Sequence, residues 1–360
     1  MQKKNLLLFT PGPLQVSERV LEALRNGNLM HREEAFSALF SNLQSKLLNA
    51  FEVNEEYAAC LFTSTGRGIN EAMVAPFAKN RKLAVITNGA WGTDLLQIAR
   101  LHGQNVMELK FSEKEAVEPG QVAEFLKQNP QIDSLALVHQ ETRTGILNPL
   151  EKIASAAAAN GVTLLVDAMS SIIAEETNFQ KLGVAFFTCG STKGLRSIPG
   201  IGIICGKKEE FEKLSRFVPT SHYFDIFSEY ESQVKNKKMR FAQPTPIFAA
   251  LNESLSELLE EGLQQRRESI SQRTADFRNW AVSNGIEIDG VASTLGHVIT
   301  NFKLPSKIKY SVFSHELQKL GIYLLYGGEK DENTFQVSFF GAFSENDIAF
   351  LKKTLISILK

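Results

Sequence analysis

Three short segments carry residue types that could act together on one substrate. After an apolar run, Ala59–Phe62, the chain reads Thr63-Ser-Thr-Gly-Arg-Gly68 and enters a helical stretch near Ile69. Glycines and small hydroxyl residues at a strand-to-helix turn present backbone N–H groups at a helix N-terminus, a natural phosphate site. The turn lacks the GK[ST] ending of a Walker loop and the spacing of a dinucleotide fingerprint. A second run, Thr163–Val166, ends in Asp167, and a carboxylate on a buried strand end needs a cationic partner. A third, Phe186–Thr188, leads into Cys189-Gly-Ser-Thr-Lys-Gly194, where Lys193 sits among small residues instead of among charges. A lysine desolvated in such a place loses basicity and becomes an amine nucleophile. Taken singly, the glycine turn reads equally as only a turn, and Asp167 as a helix cap.

Joined, the three pieces are what pyridoxal 5'-phosphate requires. Lys193 would form the Schiff base, Asp167 would keep the pyridine nitrogen protonated so that the ring accepts carbanion electrons, and the glycine turn would hold the phosphate. A stacking aromatic completes the set, and Asn88-Gly-Ala-Trp-Gly92 offers Trp91. His139, at a strand end, reads as a structural histidine more readily than as a catalytic one. Cys60, Cys189 and Cys205 read as small apolar residues, since none lies on a loop suited to a nucleophilic thiolate.

The elements that must position these residues follow from the hydrophobic pattern. Phe36, Leu39, Phe40, Leu43, Leu47, Leu48 and Phe51 mark one face of a helix. From there to about Cys205, apolar runs at Ala59–Phe62, Leu83–Thr87, Val106–Phe111, Leu135–His139, Thr163–Asp167, Phe186–Thr188 and Gly202–Cys205 alternate with helical stretches. Runs apolar on both faces suit a mostly parallel sheet buried between helices. A long helix is expected from about Pro246 to Ser283, with Gly262 as its candidate break. Beyond Gly285 the pattern becomes strand (His297–Phe302), helix (Tyr310–Leu320), two strands (Ile322–Tyr326, Phe335–Phe339) and a helix (Glu345–Leu359) with Ser344 as N-cap. The expectation is an α/β fold: a large cofactor-binding domain over 16–250 with a mostly parallel seven-stranded sheet, and a smaller C-terminal α+β domain over 251–360. Segment 1–15 would pack near the small domain and the site.

Composition narrows the function classes. The 43% hydrophobic and 22% charged fractions belong to a globular chain. Thirty-nine basic against 40 acidic residues leave a net charge of -1 and no field to draw the chain onto nucleic acid or an anionic membrane. Three cysteines without a CxxC pair speak against a disulfide framework or structural zinc. The N-terminal apolar run stops at Phe9, too short for a signal peptide, and no run approaches the roughly 20 residues of a membrane span. A cytoplasmic location is expected.

With these segments in view, the sequence resembles the fold-type I, class V aminotransferases over nearly its whole length. The carrying segments are Leu8-Phe-Thr-Pro-Gly-Pro13, Asn88-Gly-Ala-Trp-Gly92, Val138-His-Gln-Glu-Thr-Arg-Thr-Gly-Ile-Leu-Asn-Pro149, Val166-Asp-Ala-Met-Ser-Ser171, Ser191-Thr-Lys-Gly194 with Pro199-Gly-Ile-Gly202, and Arg240-Phe-Ala-Gln-Pro-Thr245. Among the family's branches it is most similar to the 2-aminoethylphosphonate–pyruvate transaminases, then to the alanine–glyoxylate and serine–pyruvate transaminases. The resemblance implies ping-pong transamination between a small amino donor and a keto or aldehyde acceptor. It implies that Thr65, Gly66 and Arg67 meet the cofactor phosphate and its edge, and that Thr142 bonds the ring hydroxyl. Met169 would pack on the ring face opposite Trp91, and Thr192 would touch the phosphate beside Lys193. Thr245 would reach the phosphate bound by a neighbouring subunit, so a homodimer with shared sites is implied. A lyase or decarboxylase on the same fold, or a cofactor-binding protein with altered catalysis, is the alternative.

Two departures stand out. Ala242 replaces a second phosphate contact of the relatives. Gln336, in Phe335-Gln-Val-Ser338, replaces the arginine that clamps a substrate carboxylate, and an amide does not substitute for a charged, bidentate fork. Three other arginines, Arg67, Arg143 and Arg196, lie in the site-forming loops. At least one is expected to face an anionic substrate group.

Overall fold

The computed structural model describes residues 6–326 and 333–359. Residues 1–5, which precede the N-terminal apolar run, lie outside them.

Each apolar run of the first two-thirds becomes a strand. In chain order the strands are β1 (Leu7–Leu8), β2 (Tyr57–Thr63), β3 (Leu83–Thr87), β4 (Met107–Lys110), β5 (Ser134–Val138), β6 (Thr163–Asp167), β7 (Phe186–Gly190) and β8 (Ile201–Lys207). Those of the last third are β9 (Ile299–Lys303), β10 (Ile322–Tyr323), β11 (Leu325–Tyr326) and β12 (Thr334–Ser338). Seven form one sheet in the order β2-β8-β7-β6-β5-β3-β4, mostly parallel, with β8 antiparallel to both of its neighbours. Alternate side chains enter two separate cores. Leu135, Leu137, Leu164, Val166, Phe187 and Ile203 pack on one face, and Val85, Ala136, Leu165, Phe186 and Ile204 on the other. This two-sided burial is why the runs read as continuous apolar stretches.

The expected long helix is two, Thr245–Glu261 and Leu263–Ser283, broken where Gly262 takes φ 93°. That positive φ costs a glycine little and lets the chain turn between two helical segments. Leu251, Leu255 and Leu258 of the first pack into the core under the large sheet, whereas Phe277 and Ala281 of the second join a smaller core. That core is covered by the antiparallel sheet β11-β12-β9 and the helices Tyr310–Lys319 and Glu345–Leu359. Ser344 accepts from the Asp347 N–H while Asp347 accepts from the Ser344 N–H, a reciprocal cap at the last helix. The stretch expected as one strand, Ile322–Tyr326, is split. Its first half pairs in parallel with β1, and its second half pairs with β12. Phe9 then stacks on Phe343 (4.1 Å), which fastens the N-terminal segment against the small core.

Among the described residues, no helix is long and apolar enough to cross a membrane. Leu165 lies fully buried in the middle strand, two residues before Asp167. Leu165→Ala is expected to destabilise the chain by about 2–5 kcal/mol, read as a lowered midpoint in chemical denaturation.

Candidate active site

The carboxyl ends of β2, β3, β5, β6 and β7, together with the start of β8, converge on one cavity of about 650 Å3. This is the edge at which open α/β sheets bind ligands. The cavity is lined by Thr65, Gly66, Arg67, Trp91, Thr142, Asp167, Met169, Thr192 and Lys193, so nine of the ten residues expected at the site come together there. Pro11, Gly12 and Pro13 close it from the N-terminal segment, and Tyr326 and Gln336 from the small sheet.

Lys193 opens a one-turn 3-10 helix after β7, with φ 53°. A Cβ on the next residue, Gly194, would run into the carbonyl of Ile172, so only glycine fits there. The Lys193 Nζ donates to Thr142 Oγ1 (3.0 Å) and Ser170 Oγ (2.7 Å), and those two hydroxyls bond each other. Burial lowers the amine to about 8, while the charges of Asp167 and Glu141 oppose that shift. Asp167, also buried, accepts from the Met169 N–H (2.8 Å) and from Asn70 Nδ2 (2.7 Å). Thr188 in turn donates to Asn70 Oδ1 (2.6 Å), which fixes the amide's orientation. Burial pushes the Asp167 carboxyl above its ordinary range against these bonds and the nearby lysine. It forms no ion pair among the described residues.

The glycine turn differs from its expected form in one respect. The helix begins at Gly66, three residues earlier than expected, with Thr65 as N-cap and no side chain capping it. Trp91 stands at the start of the helix Ala90–His102, held by Glu141, a residue to which the sequence assigned no role. The fully buried Glu141 carboxylate accepts from the N–H groups of Trp91 (3.1 Å) and Gly92 (2.7 Å). A Cβ at Gly89 would come within 2.5 Å of that carboxyl group, so glycine is required before the tryptophan. Burial raises Glu141 to about 7, against the pull of the two N–H groups.

The remaining expectations fall outside this cluster. Thr245 is buried away from the cavity, its hydroxyl donating to the Leu29 carbonyl (2.9 Å) and accepting from the Leu29 N–H (3.0 Å). His139 lies outside the cavity, and burial pulls it down to about 4, so it is neutral. It is less satisfied than a structural histidine should be, because its Nδ1 has no partner. The three cysteines are buried and burial raises their thiols, so they pack as small apolar groups.

Of the three arginines, Arg67 and Arg143 line the cavity and Arg196 does not. Arg196 turns into a different cavity, where its Nε donates to the Phe340 carbonyl. Arg67 lies over the Trp91 ring (5.2 Å) and pairs with Asp94 (3.1 Å). Gln336 is 2% exposed, and its Nε2 stands within hydrogen-bond reach of the Thr142 and Arg143 carbonyls (2.9 and 3.2 Å) and Asn301 Oδ1 (2.8 Å). It clamps the hairpin that carries Thr142. Ser170, Asn70 and Glu141 are the site residues that sequence reasoning missed. A polar residue on an otherwise apolar helix face was the signal for Asn70.

The family model for aminotransferase class-V matches residues 8–329. The chain belongs to the class-V aminotransferases. A 2-aminoethylphosphonate–pyruvate transaminase of Phocaeicola vulgatus is 30% identical over 98% of this chain and 99% of its own. One from Bacteroides fragilis is 31% identical over 97% of both. Among solved structures, the aspartate aminotransferase of Thermus thermophilus superposes with a TM-score of 0.88 at 25% identity, over 98% of each chain. The alanine–glyoxylate aminotransferase of Nostoc sp. reaches 0.92 at 23% identity, over 100% of this chain and 97% of that one, and so shares the fold.

Membership of this aminotransferase family implies pyridoxal phosphate, and the residues present fit it. An uncapped helix start faces the cavity at Thr65–Gly66, the Trp91 indole Nε1 is buried without a partner, and a strand-end carboxylate waits for a cation. Because Lys193 titrates near 8 in the folded chain, its neutral amine grows about tenfold per pH unit below that value and levels off above it. The rate at which apoprotein takes up pyridoxal phosphate on Lys193 is expected to follow the same curve. Stopped-flow absorbance over pH 6–10 checks it.

Proposed function

We propose that this class-V aminotransferase exchanges amino groups in two half-reactions through Lys193, taking a small anionic amine of the 2-aminoethylphosphonate kind as donor and a keto acid such as pyruvate as acceptor. The observation that carries the reading is a single lysine, depressed to about 8, held by Thr142 and Ser170 in the same cavity as the strand-end Asp167. The names of the relatives at about 30% identity supply the donor and acceptor.

When bound, pyridoxal phosphate supplies an aldehyde that condenses with amines and a ring that takes up the electrons of a deprotonated carbon. Thr65, Gly66 and Thr192 would hold its phosphate, Arg67 its edge, Trp91 and Met169 its two faces, and Thr142 its ring hydroxyl. Asp167 would keep the proton on the ring nitrogen. That cation is the partner the buried carboxylate lacks. Lys193 Nζ, beside Thr142 and Ser170, would have a basicity suited to taking a proton from the substrate carbon and returning it. Pro11–Pro13 and Tyr326 narrow the mouth and limit water.

Gln336 is committed to the Thr142–Arg143 backbone, so the substrate anion is assigned to Arg143. The Arg143 carbonyl is held by Asn301 Nδ2 (2.7 Å) as well as by Gln336, which fixes its backbone at the cavity wall. A homodimer is part of the proposal and rests on the Gln243-Pro-Thr245 resemblance; for Thr245 to reach the partner's cofactor phosphate, its hydroxyl would have to leave the Leu29 carbonyl. A division into a large domain, 16–250, and a small one, 251–360, is also proposed and rests on the change of hydrophobic pattern along the sequence.

Borohydride reduction and peptide mapping are expected to place the pyridoxyl label on Lys193, and label on another lysine would refute the assignment. Mixing holoenzyme with 2-aminoethylphosphonate alone is expected to leave pyridoxamine phosphate, whereas a lyase would return the aldehyde form. Asp167→Asn is expected to keep the fold and lower kcat by several orders of magnitude, because a neutral amide does not hold the ring proton. Arg143→Ala is expected to raise KM for 2-aminoethylphosphonate about 10- to 100-fold, the loss of one charge-assisted contact. Light scattering at micromolar concentration is expected to give twice the 40.0 kDa chain mass.

A further inference from the structure

Behind the lysine turn lies a second cavity, about 430 Å3, which shares no lining residue with the first. Its charged walls are Arg19, Arg196, Arg266, Glu257, Glu260 and Glu261. The inner end holds two guanidinium groups that water scarcely reaches, the side chains of Arg196 and Arg266 being 12% and 3% exposed. Both depend on one carboxylate. Arg266 bonds Glu261 Oε2 through Nε (2.6 Å) and Nη2 (2.5 Å), and Arg196 Nη1 stands 3.8 Å from the same oxygen. Among the described residues, Arg196 Nη2 and Arg266 Nη1 are left buried with no partner.

Two guanidiniums against one carboxylate leave the inner end a positive charge in excess. Burial first, and then Arg266, pulls Arg196 down to about 9. A guanidinium does not give up its proton in a protein, so the shift registers an uncompensated cation. The mouth has the opposite balance. Exposed Arg19 is shared there by Glu253 (2.6 Å), Glu257 (3.8 Å) and Glu260 (2.6 Å). A dianion would be repelled more strongly by those acids than a small, planar monoanion, whose two oxygens can accept from two guanidinium edges.

We propose that the Arg196–Arg266 end of this cavity binds a small carboxylate, one oxygen accepting from Arg196 Nη2 and the other from Arg266 Nη1. The site reports to the active-site lysine through the chain itself. The Arg196 N–H donates to the Lys193 carbonyl (3.0 Å), and both residues hold positive φ, 52° and 53°, at the two ends of one turn. A ligand that fixes the Arg196 guanidinium therefore also fixes the turn that aims Lys193.

The test titrates holoenzyme with sodium acetate against sodium chloride at matched ionic strength, following the melting temperature and the heat of binding. A saturable, acetate-specific rise in Tm is expected. Arg266→Lys keeps the charge but removes the fork, and is expected to weaken the acetate Kd about tenfold or more. Glu261→Gln removes the carboxylate that competes for both guanidiniums and is expected to tighten acetate binding. A purely structural role for the cluster predicts no such gain. If acetate acts no differently from chloride, water alone satisfies the two N–H groups and the proposal fails. Saturable binding unchanged in both variants would belong to the catalytic cavity and also overturn it. Should Arg266→Lys fail to fold, Glu261→Gln decides alone: tighter binding supports the site, and unchanged or weaker binding rejects it.

Discussion

Asp167 is a carboxylate at the end of the middle strand of a seven-stranded sheet, 3% exposed and without an ion-paired cation among the described residues, and much of the surrounding structure serves to keep it there. An isolated charge in such a place is costly. Three arrangements reduce that cost. The Met169 N–H and the Asn70 amide occupy its two oxygens, and Thr188 on the neighbouring strand fixes Asn70 in the donating orientation. Lys193 supplies positive potential from across the cavity. What remains unbalanced is the demand for a cationic partner, which the protonated pyridine nitrogen of the proposed cofactor would meet.

The same economy of burial explains the lysine. Desolvation, opposed by the charges of Asp167 and Glu141, sets its basicity near 8, low enough for some neutral amine near pH 7 and in the range that the proposed proton transfer requires. That value does not belong to the residue in isolation. It follows from placing a strand-end acid and a turn lysine on the same edge of a sheet whose low-dielectric cores lie on both faces.

The hairpin after β5 links the two sheets at this edge. Glu141 grips the start of the helix that carries Trp91, Thr142 meets the lysine, and Arg143 faces the cavity, all within three consecutive residues. Gln336, from the small sheet, locks the carbonyls of Thr142 and Arg143. Gln336 thereby acts as a strut between the C-terminal sheet and the hairpin that carries Thr142 and Arg143.

The sequence by itself determined the large sheet, because strands buried on both faces must be apolar at nearly every position, and it marked the residues that come together in the cavity, because lysine among small residues and an acid ending an apolar strand are rare enough to be seen. Ser344, whose cap depends only on residues three apart, was equally legible. Tertiary structure alone decided the rest. Arg196 stands three residues from Lys193, yet the left-handed backbone at both ends of the turn sends their side chains into different cavities. Asn70 and Glu141 act on partners 97 and about 50 residues away, and no local pattern encodes that pairing. The split of Ile322–Tyr326 into two strands likewise depends on partners, β1 and β12, that lie far apart in the chain. Local periodicity records whether a residue is buried. What it is buried against is settled only when distant segments close on one another.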